Sequence, residues 1–230
     1  PKRGLGQSSK VLGFGAMPRG LNKGEMQMKM NLPNRLTVLR LILVPIFVAV
    51  MMASDALWAE ITGLALFCMA AYTDRLDGKI ARKRGLVTDF GKFLDPLADK
   101  FMVIGAMLVI LYKSMLRAEP SNLFCNVFFW GLLIVFFREL AVTSMRLVVS
   151  GSSGIVIAAN MLGKIKTVSQ ILCVIVCIVE PIVYGHVSAL AHLGKYLPAS
   201  VALTVIMAFF TLLSGVKYIA GYWKYLDPQK

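Results

Sequence analysis

Residues 36–73 read LTVLRLILVPIFVAVMMASDALWAEITGLALFCMAAYT, two long apolar runs separated only by a short polar break at Ser54 and Asp55. An α-helix needs about 20 predominantly apolar residues to cross the hydrocarbon core of a bilayer. Each run is close to that length, and the break between them leaves room only for a tight turn. The stretch therefore predicts two membrane-spanning helices that form a hairpin.

The rest of the chain has the same character. Its 230 residues are 57% hydrophobic and 16% charged, with a mean hydropathy of +0.71, whereas about a quarter of the residues of an ordinary soluble domain are charged. The fourth apolar stretch is too long for one perpendicular crossing, so it is expected to tilt or to extend past the membrane. The hydropathy pattern predicts an all-α, polytopic membrane protein with six transmembrane helices, at approximately 36–54, 56–73, 93–112, 122–148, 160–184 and 197–221.

The basic residues predict the orientation. The chain carries a net charge of +13, and an alternating inside–outside arrangement with both termini in the cytoplasm places all but three of its 25 Lys and Arg residues on the cytoplasmic side. Lys and Arg are enriched on that side of membrane proteins and attract anionic lipid headgroups. We therefore expect an N-in, C-in protein in a cytoplasmic (inner) membrane, with membrane lipids rather than nucleic acid as its anionic surroundings. The three exceptions are Lys113, Arg117 and Lys195.

Residues 1–30 differ from the remainder because they contain no apolar run of the kind found in a secretory signal. They are interpreted as a leader or extension, and residues 31–230 as the membrane domain. All four cysteines lie inside apolar runs and are expected to be buried, reduced thiols that pack as small hydrophobic residues: Cys68, Cys125, Cys173 and Cys177.

Residues 72–100, YTDRLDGKIARKRGLVTDFGKFLDPLADK, hold five of the twelve acidic residues. Asp74 and Asp77 are spaced i,i+3, and Asp95 and Asp99 are spaced i,i+4, so each pair lies on one face of a helix. A solvated loop explains the fifth, Asp89, but does not explain carboxylates inside the apolar run that begins at 93. A charged group in hydrocarbon costs about 3 kcal/mol on insertion scales, so these carboxylates need compensation.

One or two divalent cations would provide it, because carboxylate oxygens are hard ligands suited to Mg²⁺ or Mn²⁺. A pair of such ions is typical of in-line displacement at phosphorus. The small residues Gly78 and Ala81 leave room for a ligand near the backbone, although they also suit close helix packing. Arg82 has the planar fork that binds a diphosphate.

The pattern from Asp74 to Asp99, D-x2-D-G-x2-A-R-x8-G-x3-D-x3-D, resembles the signature of the CDP-alcohol phosphotransferase family at every defined position. The resemblance implies a six-helix membrane enzyme, typically a homodimer, that transfers a phosphatidyl group from CDP-diacylglycerol to an alcohol and releases CMP. It implies that Asp99 is the general base at the acceptor hydroxyl, which attacks the β-phosphate. The ligands of two metal ions, Mg²⁺ or Mn²⁺, would be Asp74, Asp77, Asp95 and Asp99.

The resemblance also implies a binding site for the CDP-diacylglycerol substrate. Asn34 and Thr37 resemble a family segment near the cytidine nucleotide, with helix capping as the alternative role for both. The CDP group itself would be lined by Gly78, Ala81, Arg82 and Thr88.

The acceptor alcohol is predicted from a second group of charges. Arg138 and Arg146 are eight residues apart on one face of the fourth span, and Lys164 and Lys166 begin the fifth. Basic residues at this depth are unfavourable unless they meet an anion, so an acceptor that carries phosphate is favoured. The stretches NLPNRLTVLRLILVPIF, FLDPLADK, RELAVTSMR and GKIKTVSQ resemble family members whose acceptor is sn-glycerol 3-phosphate. Inositol phosphate, serine and phosphatidylglycerol remain alternatives, although serine does not need the basic cluster.

Two other classes of protein compete with an enzyme. An ion or proton transporter would use intramembrane carboxylates, but it predicts acidic residues spread across the bilayer, often with inverted repeats. A lipid-binding structural protein accounts for the basic residues and leaves the regular spacing of the aspartates without a cause. The clustering of the carboxylates favours the enzyme.

Overall fold

The computed structural model describes residues 32–84, 89–117, 121–153 and 161–223, and within these ranges the chain is all-α, as predicted. Residues 1–30, the predicted leader or extension, lie outside them. The described part contains α1 (Leu32–Ala53), α2 (Leu57–Arg84), α3 (Asp89–Leu116), α4 (Asn122–Ser153), α5 (Met161–His186), a 3₁₀ helix (Ser188–Lys195) and α6 (Pro198–Trp223).

The six α-helices correspond to the six predicted apolar runs, and α2, α3 and α4 extend furthest beyond their runs. α2 continues to Arg84 and α3 begins at Asp89, because hydropathy reports contact with lipid whereas Ala, Lys and Arg continue a helix readily in water. α4 has 32 residues and is therefore about 48 Å long. It exceeds the roughly 30 Å hydrocarbon thickness, as its apolar length predicted.

Four of the described helices are long and apolar enough to cross a membrane. Their qualifying segments are Arg35–Ala53, Asn122–Arg146, Met161–His186 and Pro198–Gly221. α2 and α3 each combine an apolar half with a charged half, which contains the aspartates of the motif. The chain is an integral membrane protein of the helical kind.

α3 is the central helix of the bundle. It packs against α1, α2, α4 and α5, while α6 packs against α4 and α5. Side chains from all six helices form one apolar core. The four cysteines carry free thiols, as predicted, and Cys125, Cys173 and Cys177 are buried, whereas Cys68 is exposed on α2 and its predicted burial is wrong. Among the most buried core residues are Phe47, Phe67, Met107, Phe128, Val135, Cys173, Val174 and Met207.

The predicted turn at Ser54 and Asp55 joins α1 to α2 and is fixed to α3. The backbone N–H of Ala56 donates to Ser54 Oγ at 3.0 Å. Lys113, near the end of α3, donates to the Ser54 carbonyl at 3.2 Å and pairs with Asp55 at 3.1 Å. The hairpin predicted from residues 36–73 is therefore tied to the central helix at its closed end.

Small and hydroxyl-bearing side chains bring α6 close to α4. A Cβ atom added to Gly131 on α4 would lie 2.7 Å from Thr204 Cγ2 on α6, so only glycine fits there without movement. Small residues at such contacts let membrane helices approach closely. The close approach packs α4 against α6. The fully buried hydroxyl side chains of α6 are Ser200, Thr204, Thr211 and Ser214.

Candidate active site

A cavity of about 670 Å³ opens among five helices, α2 to α6, at the end of the bundle where α5 begins. Its described walls carry five cationic side chains and two carboxylates, so its field favours an anionic ligand. Its deeper wall is apolar, formed by Val103, Ile104, Val135 and Ile171. The charged side chains are Lys100, Arg138, Arg146, Lys164 and Lys166, with Asp74 and Glu139.

All four basic residues predicted to hold the acceptor phosphate line this cavity: Arg138, Arg146, Lys164 and Lys166. They come from two helices, so their convergence depends on the packing of α4 beside α5. Lys100 of α3 joins them and was not among the predicted site residues. The sequence analysis had counted Lys100 only as a basic residue of the cytoplasmic side.

Glu139 divides the basic residues into two pairs. Its Oε1 pairs with Arg138 Nη1 at 3.1 Å and also accepts a short hydrogen bond from Lys166 Nζ. Neither Arg146 nor Lys164 forms an ion pair with a carboxylate of the described residues, and both are exposed to solvent. Arg138 and Lys166 are therefore held in the wall, whereas Arg146 and Lys164 are available to a ligand.

Two residues of α6 contact Arg138, and one of these also contacts Arg146. Arg138 Nη2 donates to Ser214 Oγ at 2.9 Å. The ring of Tyr218 lies under both guanidinium groups, with its centroid 5.6 Å from Cζ of Arg138 and 5.9 Å from Cζ of Arg146. Such cation–π contacts stabilise a cation without neutralising its charge, so the arginines keep their attraction for an anion.

Asp74 is the one metal-ligand candidate whose side chain lies within the described part. It lines the cavity, and its Oδ1 pairs with Nη1 of Arg40 on α1 at 3.1 Å. The Arg40 side chain is completely buried, while that of Asp74 is 31% exposed. Arg40 therefore holds one oxygen of the carboxylate, and the exposed fraction faces the cavity that a ligand would enter.

The remaining motif residues are placed only by their backbone. Asp77 is helical in α2, and Asp95 and Asp99 are helical in α3, which agrees with the i,i+3 and i,i+4 spacing. α2 and α3 contact each other, and Lys100, the residue after Asp99, lines the cavity. Side chains that fall outside the described part are those of Asn34, Asp77, Gly78, Ala81, Arg82, Asp95 and Asp99, and Thr88 falls outside it entirely.

Thr37, predicted to lie near the cytidine nucleotide, is buried in α1 and is not part of the described cavity wall. It precedes Arg40 by three residues and so shares its face of the helix. The predicted nucleotide segment therefore lies on the face of α1 whose Arg40 pairs with Asp74. A contact between Thr37 and the nucleotide stays a prediction.

The sequence analysis missed three residues of the site: Arg40, Lys100 and Gln170. Arg40 interrupts the apolar run LTVLRLILV, and a charge in such a run is a signal for a buried partner. Gln170 directly precedes the apolar run ILCVIVCIV of α5, and a buried amide there has the same meaning. Lys100 gave no separate signal, because its place at the start of an apolar run is also that of an ordinary flanking lysine.

The residues present suit divalent cations by their chemistry. Asp74 of α2 presents hard carboxylate oxygens at the cavity. The three other aspartates of the motif follow it in the sequence, Asp77 in α2 and Asp95 and Asp99 in α3. Within the described side chains there is no group of three or more His, Cys, Asp or Glu residues, since only Asp74 of the four candidates is among them. The donor set of the motif therefore fits Mg²⁺ or Mn²⁺ by residue type.

The fold and the cavity define a helical membrane protein with a cationic site next to an aspartate-bearing helix pair. A family model for CDP-alcohol phosphatidyltransferases matches residues 30–213. The chain belongs to this family, and it is an enzyme of the CDP-alcohol phosphatidyltransferase class.

Individual relatives are similar over most of their length. A CDP-diacylglycerol–glycerol-3-phosphate 3-phosphatidyltransferase of Bacillus subtilis is 39% identical over 208 residues, covering 85% of this chain and 97% of the relative. A probable phosphatidylglycerophosphate synthase of Mycobacterium tuberculosis is 36% identical, over 83% of this chain and 80% of the relative. An Arabidopsis thaliana CDP-diacylglycerol–glycerol-3-phosphate 3-phosphatidyltransferase 2 is 31% identical, over 85% and 81%.

Proposed function

We propose that the enzyme transfers the phosphatidyl group of CDP-diacylglycerol to sn-glycerol 3-phosphate, giving phosphatidylglycerophosphate and CMP. The observation that carries the proposal is the convergence of Arg138, Arg146, Lys164 and Lys166 on a cavity that also contains Asp74. An acceptor bearing a phosphate accounts for the cationic walls, and the names of the similar Bacillus subtilis and Arabidopsis thaliana proteins include glycerol 3-phosphate.

In this proposal the acceptor phosphate binds Arg146 and Lys164. These two are the exposed cations of the cavity that form no ion pair with a described carboxylate, so they gain most from an anion. Arg138 and Lys166 already share Glu139 and define the wall on which the phosphate rests. The acceptor then lies between this wall and Asp74.

The catalytic end of the site is the aspartate motif. We assign the metal ligands to Asp74, Asp77, Asp95 and Asp99, with two Mg²⁺ or Mn²⁺ ions as cofactors. When bound, divalent cations neutralise phosphate oxygens and make phosphorus more open to attack. Asp99 accepts the proton of the attacking hydroxyl, the new O–P bond forms at the β-phosphate, and the bond to CMP breaks. Arg40 pairs with Asp74 and orients its carboxyl group.

CDP-diacylglycerol is assigned to the side of α1 and α2. Gly78, Ala81, Arg82 and Thr88 would line the CDP group, and Asn34 and Thr37 would lie near the nucleotide. Arg40 and Asp74 connect α1 to α2 next to these positions. The acyl chains then extend into the lipid that surrounds the apolar helices.

The proposed membrane arrangement has six spans, with both termini and the site on the cytoplasmic side. α2 and α3 would cross with their apolar halves, within the predicted spans 56–73 and 93–112, and bring their charged halves to the interface. The proposal takes residues 31–230 as the catalytic membrane domain and residues 1–30 as an extension. It also includes a homodimer, as the family resemblance implies.

An acceptor screen tests the function. Purified protein in detergent would receive CDP-diacylglycerol, Mg²⁺ or Mn²⁺, and one of four acceptors: glycerol 3-phosphate, inositol phosphate, serine or phosphatidylglycerol. We expect CMP release with glycerol 3-phosphate only, and none when the divalent cation is chelated. Release with a different acceptor would contradict the assignment of the cavity, and its absence with every acceptor would contradict the proposed reaction.

A further inference from the structure

Gln170 on α5 is a polar side chain of the cavity wall that the proposed reaction does not use. The residue is 3% exposed and lines the cavity. Its Nε2 has no hydrogen-bond acceptor among the described residues. The adjacent Ser169 behaves differently, since its hydroxyl donates to the Lys166 carbonyl at 2.7 Å. Gln170 is thus a residue of the cavity wall whose buried amide donor has no acceptor among the residues that the structure describes.

A buried donor without an acceptor is unfavourable, and native interiors contain few of them. A leucine of similar size would pack against the neighbouring apolar wall without that penalty. A polar ligand in the cavity explains the amide, because the ligand would supply the missing acceptor. The volume of about 670 Å³ is within the range of small-molecule binding sites.

The position of Gln170 limits which part of the ligand it meets. It follows Lys166 by four residues on the same helix face, and it lies six residues, or about 9 Å along the helix axis, beyond Lys164. A ligand whose phosphate is held by Lys164 and Arg146 would extend along α5 toward Gln170. The part of the ligand beside Gln170 meets an uncharged amide and apolar side chains, so it is polar but uncharged.

We propose that Gln170 Nε2 donates a hydrogen bond to the secondary hydroxyl of the acceptor and makes Gln170 a specificity-determining residue. This inference rests on the proposed function. In glycerol 3-phosphate one oxygen carries the phosphate and the primary hydroxyl attacks, so the secondary hydroxyl is the remaining uncharged group. The site would therefore select polyol phosphates over phosphates that lack this hydroxyl.

The experiment compares two acceptors, glycerol 3-phosphate and 3-hydroxypropyl phosphate, which lacks the secondary hydroxyl. CMP release is followed with saturating CDP-diacylglycerol, and the ratio of kcat/KM for the two acceptors is determined. This ratio does not depend on the fraction of active enzyme, so a variant that folds poorly cannot imitate a change in specificity. We expect the unaltered enzyme to prefer glycerol 3-phosphate by about tenfold or more, as sites built to bind a hydroxyl do.

In Gln170→Leu the ratio should fall to near one, mainly through a higher KM for glycerol 3-phosphate, while 3-hydroxypropyl phosphate is used about as well as before. Ser169→Ala is the control, because Ser169 is a buried residue of the same helix that does not line the cavity. This variant should keep the original ratio. A Gln170→Leu enzyme with the original ratio would overturn the role of Gln170 and leave the proposed function intact. No CMP release with glycerol 3-phosphate in the unaltered enzyme would overturn both.

Discussion

Glu139 determines which basic residues of the cavity can meet a substrate. A buried cation is stable only beside a partner, and Glu139 serves as the partner of both Arg138 and Lys166. Arg146 is instead placed over the ring of Tyr218, which leaves its hydrogen-bond donors open. The four residues thus differ in role, although their spacing in the sequence presents them as one cluster.

Replacing Arg146 with alanine should therefore weaken acceptor binding selectively. Hydrogen bonds to charged groups contribute about 1.5–3 kcal/mol, so we expect KM for glycerol 3-phosphate to rise roughly tenfold or more. KM for CDP-diacylglycerol should change much less, because that substrate is assigned to α1 and α2. Initial rates of CMP release at varied concentrations of each substrate measure both constants.

Lys217→Ala is the matched control, since it removes an exposed cation of α6 that does not line the cavity. It should alter neither KM. If Arg146→Ala raised KM for CDP-diacylglycerol and left that for the acceptor unchanged, the assignment of the acceptor phosphate to Arg146 would be wrong.

At the residue scale, the sequence predicted which basic residues belong to the site but not which carboxylates they pair with. Basic residues inside apolar runs indicated an anionic ligand, and the structure brings all four of those into one cavity. The pairing of Lys166 with Glu139, and that of Arg40 with Asp74, each join two different helices. No periodicity within a single helix contains that information.

At the scale of the helix, α6 acts as the support of the acceptor site. A Cβ added at Gly215 would lie 3.1 Å from Arg138 Cγ, and the preceding Ser214 accepts a hydrogen bond from the same arginine. The Arg138 side chain thus passes over a glycine to reach its hydroxyl partner. α6 reads as an ordinary apolar span in the sequence, so this role could not be predicted from hydropathy.

Gly215→Ala should displace Arg138 by a few tenths of an ångström and disturb its bonds to Ser214 and Glu139. We expect a higher KM for glycerol 3-phosphate, roughly two- to tenfold, consistent with a partial loss of one charged hydrogen bond. Alanine otherwise favours a helix over glycine by about 0.5–1 kcal/mol, so the protein should not be less stable overall. Steady-state kinetics and thermal unfolding in detergent provide the two measurements.

Gly185→Ala in α5 is the control, because a Cβ there meets nothing within 4 Å. It should keep the kinetics of the original enzyme. Equal effects of the two substitutions on KM would show that Gly215 has no special relation to Arg138.

The other end of α6 is fixed by a buried carboxylate. Glu180 of α5 accepts hydrogen bonds from the backbone N–H of Ala199 at 2.9 Å and of Ser200 at 2.6 Å, and from the Ser200 hydroxyl. The first N–H groups of a helix lack partners within the helix. A carboxylate at this end also interacts favourably with the positive end of the helix dipole. Glu180 is therefore an N-terminal cap supplied by a neighbouring helix.

Glu180→Gln should lower stability without changing the chemistry. The amide retains one acceptor oxygen but loses the charge, so we expect a loss of about 1–2 kcal/mol, as for other helix caps. The melting temperature in detergent should fall, while KM for both substrates stays the same at temperatures where the variant is folded. An altered KM for the acceptor would mean that the cap communicates with the cavity.

The molecule as a whole gathers the charged residues of the site at one end of the helix bundle, and part of this arrangement was predictable. All six apolar runs lie in α-helices, because their length and composition are strong signals for a helix. The extent of α2 and α3 was not predictable in the same way, since helix propensity rather than hydropathy determines how far their charged halves continue. The cavity lies where these charged halves meet the basic ends of α4 and α5.

The proposed N-in, C-in arrangement predicts which parts of the chain water-soluble reagents reach from outside the cell. Ser188, at the start of the 3₁₀ helix between α5 and α6, is exposed and should face the exterior, whereas Gln229, after α6, should face the cytoplasm. In a protein whose four native cysteines have been replaced, Ser188→Cys should react with a membrane-impermeant thiol reagent on intact cells. Gln229→Cys should react only after permeabilisation, and the reverse pattern would place the site on the outer face, where cytoplasmic glycerol 3-phosphate could not reach the cavity.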